Sequence, residues 1–201
     1  GGDINKINGY TNDIISLTPD LLNSSLSLKK SIAKLQISDF ILGNPDRHLG
    51  NMLYQFDDFG NLIGVIGIDN DSCLGCKNHV KALSGIDLDN LSIIPKETFD
   101  YLTGLNEESL RTMYYGYDLT KEEIDQSLDN IRKLKEKVID DMEYFKDKPE
   151  GYIEDGRIKV VTDEELDKIY IYPNYRSKAK FIISHAMCWI FYTINIIWCT
   201  L

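Results

Sequence analysis

From Thr120 onward, apolar residues return every three or four positions. Ile124, Leu128, Ile131, Leu134, Val138, Met142 and Phe145 fall on one face, which is the period of an amphipathic helix. The helix opens on "TKEE", where a Thr hydroxyl and a Glu carboxylate three residues later can cap the first turn reciprocally. A second helical run covers residues 28–42. Leu28, Ile32 and Leu35 set its spacing, Ile37, Phe40 and Ile41 extend it, Ser27 is a candidate cap, and Gly43, Asn44 and Pro45 stop it. The pattern then changes. "NMLYQF" and "NLIGVIGI" are short apolar runs on either side of "DDFGN", the signature of a β-hairpin. Residues 70–92 are rich in Gly, Asp and Ser and read as a long loop. "PKETFDYLTGL", which places Pro95 at a helix start, "NEESLRTMYYG" and "TDEELDKIYIY" at 162–172 read as short helices. The fold class is therefore mostly α with a small β-hairpin. Residues 1–27 form an irregular lead-in, 28–172 one lobe, and 173–201 an apolar tail.

Composition narrows the partners. A net charge of −10 leaves no basic stripe for a nucleic-acid backbone, so no nucleic acid is expected. Acidic side chains can still meet a nucleotide through Mg²⁺. Cys73 and Cys76, with His79 close behind, form half of a zinc-like set; the alternative is a pair of reduced thiols in an intracellular loop. The segment 181–201, "FIISHAMCWIFYTINIIWCTL", has no charged side chain and is flanked by Arg176, Lys178 and Lys180. It has the length of a bilayer span or of a buried C-terminal helix or strand pair. Membrane contact through it is one expectation, cytoplasmic placement the other.

The candidate chemistry lies between the first long helix and the hairpin. "GNPDRHLGN" delivers Asp46, Arg47 and His48 on a turn, with Asn51 five residues after Asp46, and Asp69 ends the strand "LIGVIGI". Magnesium-assisted phosphoryl transfer needs these groups. One carboxylate orients the attacking hydroxyl and takes its proton, while an amide oxygen and a second carboxylate hold the metal against the nucleotide phosphates. A literal "DFG" at Asp58, Phe59 and Gly60 is a rival metal-binding motif. It follows Asn51 by only seven residues, which leaves no room for a return strand, so it is assigned to the hairpin turn.

"GNPDRHLGNMLY" followed by "GIDND" resembles the catalytic and metal-binding loops of the protein-kinase-like superfamily. The similarity is greatest to the atypical branches: phosphoinositide 3/4-kinases, actin-fragmin kinase, HipA-type kinases and kinase-like bacterial effectors. The resemblance implies a kinase-like C-lobe. It makes Asp46 the catalytic base, with Arg47 and His48 supporting it, Arg47 by bracing the loop. Asn51 and Asp69 become the groups that bind Mg²⁺ and ATP. The substrate is then a protein hydroxyl or an inositol lipid. Forty-five residues precede Asp46, and they contain neither G-x-G-x-x-G nor a V-A-I-K-like strand. An N-lobe or activating partner is therefore expected from elsewhere. The same resemblance admits delivery into a host cell's cytosol, and a catalytically silent partner-binding module as the alternative function.

Overall fold

A computed structural model describes residues 10–11, 18–70, 73–75, 88–117, 119–174 and 180–183. The helices are α1 (Pro19–Leu22), α2 (Leu26–Leu42), α3 (Lys96–Gly104), α4 (Glu107–Tyr115), α5 (Lys121–Phe145) and α6 (Asp163–Lys168). The strands are β1 (Tyr10–Thr11), β2 (Met52–Phe56), β3 (Leu62–Gly67), β4 (Ile93–Pro95), β5 (Lys159–Val161), β6 (Ile171–Asn174) and β7 (Lys180–Ile183). Helices dominate, and the expected hairpin is present as β2 and β3.

Helix α2 is the central post. It starts two residues earlier than Ser27 would place it, because Ser25 accepts the Leu28 N–H at 3.1 Å and is the true cap. Its Leu28 and Ile32 pack with Leu22, Met52, Tyr54, Leu62 and Val65 beneath the hairpin. On a second side, Ile37 and Phe40 meet Leu91, Ile94, Leu102, Leu134, Val138 and Ile158. On a third, Ala33 joins Ile93, Val161, Leu166 and Ile169. A helix wrapped on three sides carries no single apolar stripe, which explains why its periodicity fades after Leu35.

The hairpin is antiparallel, pairing Met52 with Gly67 and Tyr54 with Val65, and β1 adds to its far side through Tyr10 and Gln55. The tripeptide Asp58-Phe59-Gly60 lies in the turn, as expected. The Asp57 carboxylate accepts the Phe59 and Asn61 backbone N–H groups at 2.9 and 2.8 Å and the Asn61 side-chain amide at 2.9 Å. Those bonds, led by the Asn61 amide, hold its pKa below the usual carboxylate value. Gly60 supplies the left-handed φ of +83° that the turn needs, and Phe59 is 91% exposed. On the other edge of this sheet, the Ser31 hydroxyl of α2 both accepts the Val65 N–H and donates to the Val65 carbonyl, each at 2.8 Å.

Several expectations are corrected. The lead-in is not wholly irregular: Thr18 caps α1 and β1 joins the sheet. Within the stretch assigned to a long loop, Cys73–Gly75 and Leu88–Asn90 form 3₁₀ turns. Pro95 stands one residue before α3 and also ends β4, which pairs in parallel with β5. On α5 the face runs as expected to Val138. There Asp141 turns inward while Met142 is 42% exposed. Arg157 and the Ile158 N–H both reach the Asp141 carboxylate at 2.8 Å, so a buried acid with partners replaces the expected methionine. The short helix expected over 162–172 stops at Lys168, where strand β6 soon takes over. Of the apolar tail assigned to 173–201, Pro173 and Asn174 end β6 and Lys180–Ile183 form β7, paired to it; the rest lies outside the described residues, as do Cys76 and His79. Among the described residues no helix is long and apolar enough to cross a membrane.

Lys29 ties α2 to the end of α6. Its ammonium donates to the carbonyls of Leu166, Asp167 and Ile169 at 3.2, 2.7 and 2.7 Å, so its donors satisfy carbonyls that a helix end leaves open. Burial lowers its pKa from the ordinary lysine value, and the charge of Asp167 opposes that shift. Replacing Lys29 with Met keeps the buried stem but removes the donor from all three carbonyls, of which that of Leu166 keeps the Ile169 N–H at 3.3 Å. We expect a loss of about 1–3 kcal/mol, read as a lower urea midpoint at unchanged slope; an unmoved midpoint would show that water serves the carbonyls equally well.

Candidate active site

The local chain path is dictated residue by residue. Gly43 ends α2 in the left-handed region at φ 61°, where a side chain would be strained. The turn returns the Asn44 N–H to the Asp39 carbonyl at 2.8 Å, the long bond of a Schellman cap. From α5, the Asn130 amide caps the carbonyls of Phe40 and Ile41, both at 3.2 Å. Asn44 is thereby placed to work in both directions. Its NH₂ donates to the Asp39 carboxylate at 3.0 Å, and its Oδ1 accepts the Asp46 N–H at 3.0 Å.

Asp46 itself is exposed, and among the described residues nothing bonds its carboxylate. Its carbonyl accepts the Asn51 NH₂ at 3.0 Å. That bond leaves the Asn51 Oδ1 as the acceptor end of the amide. His48 is exposed; its Nδ1 accepts the Gly50 N–H at 3.1 Å, so in the neutral ring the proton sits on Nε2, an outward donor. A Cβ on Gly50 would stand 3.1 Å from the His48 ring.

Arg47 points the other way, into the protein. Its side chain and that of Asp39 are 4% and 3% exposed, with Nη2 to Oδ1 at 2.9 Å, and its Nε donates to the same carboxylate at 3.0 Å. The second N–H of Nη2 reaches the Asn70 side-chain oxygen at 2.6 Å. Nη1 donates to the Ile68 carbonyl at 2.7 Å and to the Asn51 carbonyl. Every N–H of the guanidinium is thus used inside the protein, so Arg47 braces the loops and has no donor left for a ligand. Gly67 makes room for it: a Cβ there would lie 2.5 Å from Nη2.

Asp69 follows β3 with a φ of 54°, a left-handed conformation that Asp tolerates better than most residues. It is exposed, and among the described residues nothing bonds its carboxylate. The segments bearing Asp46, Asn51 and Asp69 therefore meet in one network, with the Ile68 N–H also bonded to the Asn51 carbonyl at 3.0 Å. As donors, two carboxylates and an amide oxygen suit a hard cation such as Mg²⁺. Among the described residues no group of three or more His, Cys, Asp or Glu could hold a metal; the set here is two acids and an amide. Asp39 and Gly67 went unread as site residues in the sequence, Asn44 was read only as part of a helix stop, and Asn70 only as part of "GIDND". The one available signal was Asp39, the single acid of α2, flanked by the apolar Ile37 and Phe40 and eight residues before an arginine.

A mostly helical body bearing a small antiparallel hairpin, with this acid-and-amide turn at its base, is consistent with a kinase-like fold. Residues 20–106, which contain α2, the turn, the hairpin and Asp69, match the family of phosphatidylinositol 3- and 4-kinases. The match supports a phosphoinositide 3/4-kinase-like fold and, at a coarse level, a kinase-type phosphotransferase. No curated protein and no solved structure shows significant similarity to the chain.

Proposed function

We propose that this chain forms the C-terminal lobe of a Mg-ATP-dependent kinase that phosphorylates a hydroxyl group, with a nucleotide-covering lobe supplied from elsewhere. The observation that carries the reading is the convergence of the Asp46, Asn51 and Asp69 segments within the stretch that matches the lipid-kinase family. Mg²⁺ would supply charge neutralisation at the transferred phosphate. Asn51 Oδ1 and the Asp69 carboxylate would hold it. Asp46 orients the substrate hydroxyl and accepts its proton as the oxygen attacks the γ-phosphorus and ADP leaves. His48 Nε2–H offers a hydrogen bond to a phosphate oxygen. Arg47 keeps the two loops in register.

The matched family makes an inositol lipid the first substrate to try, and a protein hydroxyl the second. The test is transfer from labelled ATP by the full-length protein to phosphatidylinositol vesicles and, in parallel, to peptide hydroxyls. Mg²⁺-dependent label in either arm supports the proposal and names the substrate class. Absence of Mg-ATP binding by the full-length protein sinks it and leaves a catalytically silent, partner-binding module.

A further inference from the structure

We infer that Asp39 is a positioning residue that, through Arg47, sets where Asn51 and Asp69 stand relative to each other. The inference rests on the kinase reading above. Asp39 is the single acid of α2 and is 2% exposed. A buried ion pair is a poor source of stability, since apolar residues of similar volume often serve as well. Its connections suggest another use. Asp39 occupies the Nε–Nη2 side of the guanidinium, which turns Nη1 toward two carbonyls, one on Asn51 and one on Ile68. The first carries a candidate metal ligand, and the second immediately precedes the other. Asn70, on the far side of Asp69, is bonded to Nη2. Asp69 is thus clamped by both neighbours while it holds φ at 54°, a region that surrounding structure must enforce.

Removing the Asp39 charge frees the guanidinium to move. Asp69 can then relax toward an ordinary conformation, and its carboxylate turns away from Asn51. The effect falls on metal affinity rather than on the substrate hydroxyl. Outer-shell partners of this kind typically shift metal affinity about 10–100-fold.

The test is Mn²⁺ binding to the full-length protein with ATP, followed by electron paramagnetic resonance, with circular dichroism as the check on folding. Asp39→Asn should weaken Mn²⁺ binding at least about tenfold and lower kcat, with KM for the hydroxyl substrate little changed. Asp58→Ala, in the hairpin turn, should bind as wild type. Where Asp39→Asn does not fold, Arg47→Lys replaces it: the charge stays opposite Asp39, but one ammonium cannot span the same set of acceptors. A folded variant of either kind with wild-type Mn²⁺ affinity overturns the inference. Wild-type protein that binds no Mn²⁺ with ATP overturns the kinase reading, and this inference falls with it.

Discussion

Asp46→Ala should reduce phosphate transfer by about 10²–10⁴-fold, the range spanned by loss of a positioned general base, and Asp69→Ala should also abolish most of it by removing a Mg²⁺ ligand, while Asp58→Ala leaves it intact. Asp46 has its backbone fixed on both sides, by Asn44 and by Asn51, and its carboxylate exposed. It can therefore meet a substrate hydroxyl without a change in the turn. Asp69, exposed just after β3, would on the proposed reading hold the Mg²⁺ that offsets charge on the transferred phosphate. Asp58 belongs to a solvated turn held together by its neighbour Asp57. Its loss should cost no more than about 0.5 kcal/mol of stability. The measurement is initial rate under saturating Mg-ATP for the three variants in the full-length protein. Loss of activity in Asp58→Ala with retention in Asp69→Ala would reassign the metal ligand to the hairpin turn.

Leu134→Asp should unfold the lobe. Leu134 is fully buried among Ile37, Phe40, Leu91, Ile94, Leu102, Val138 and Ile158, where α5 closes against α2 and β4. The change forfeits about 1.5–3 kcal/mol of side-chain burial and places a carboxylate where it has no partner, at a further cost of several kcal/mol. Against a typical total stability of about 5–15 kcal/mol, little fold remains. Met142→Asp is the matched control. That residue is 42% exposed and outside the core clusters, so the melting temperature should stay within a few degrees of wild type. Comparable melting of both variants would mean that the α5 face is not a core face.

The two controls show where the sequence was readable. Periodicity located α5, and turn residues located the hairpin, because both signals are local and repeat over many positions. The choice between Asp141 and Met142 was not local. It depends on Arg157 and Ile158, which arrive from beyond the helix and turn an acid into the buried member. The parallel pairing of β4 with β5 was equally hidden, since three-residue strands separated by three helices leave no pattern of their own. At the candidate site, the acid and amide groups were legible from their chemistry and spacing. The frame behind them was not: Asp39 and Asn70 matter only through Arg47, and Gly67 only through the space that Arg47 fills.

Ser31 has a consequence beyond the packing of α2. Strand β3 is the last strand of its sheet among the described residues, and such a border invites pairing with another molecule. At Val65 both main-chain groups are already engaged by the Ser31 hydroxyl, and the helix carrying that hydroxyl stands across the approach. A foreign strand would have to displace α2, and with it the core beneath the hairpin, before it could add to the sheet. The serine thus protects the hairpin from edge-to-edge aggregation, a task that side chains such as lysine or proline perform elsewhere, and it does so without adding charge beside the candidate site.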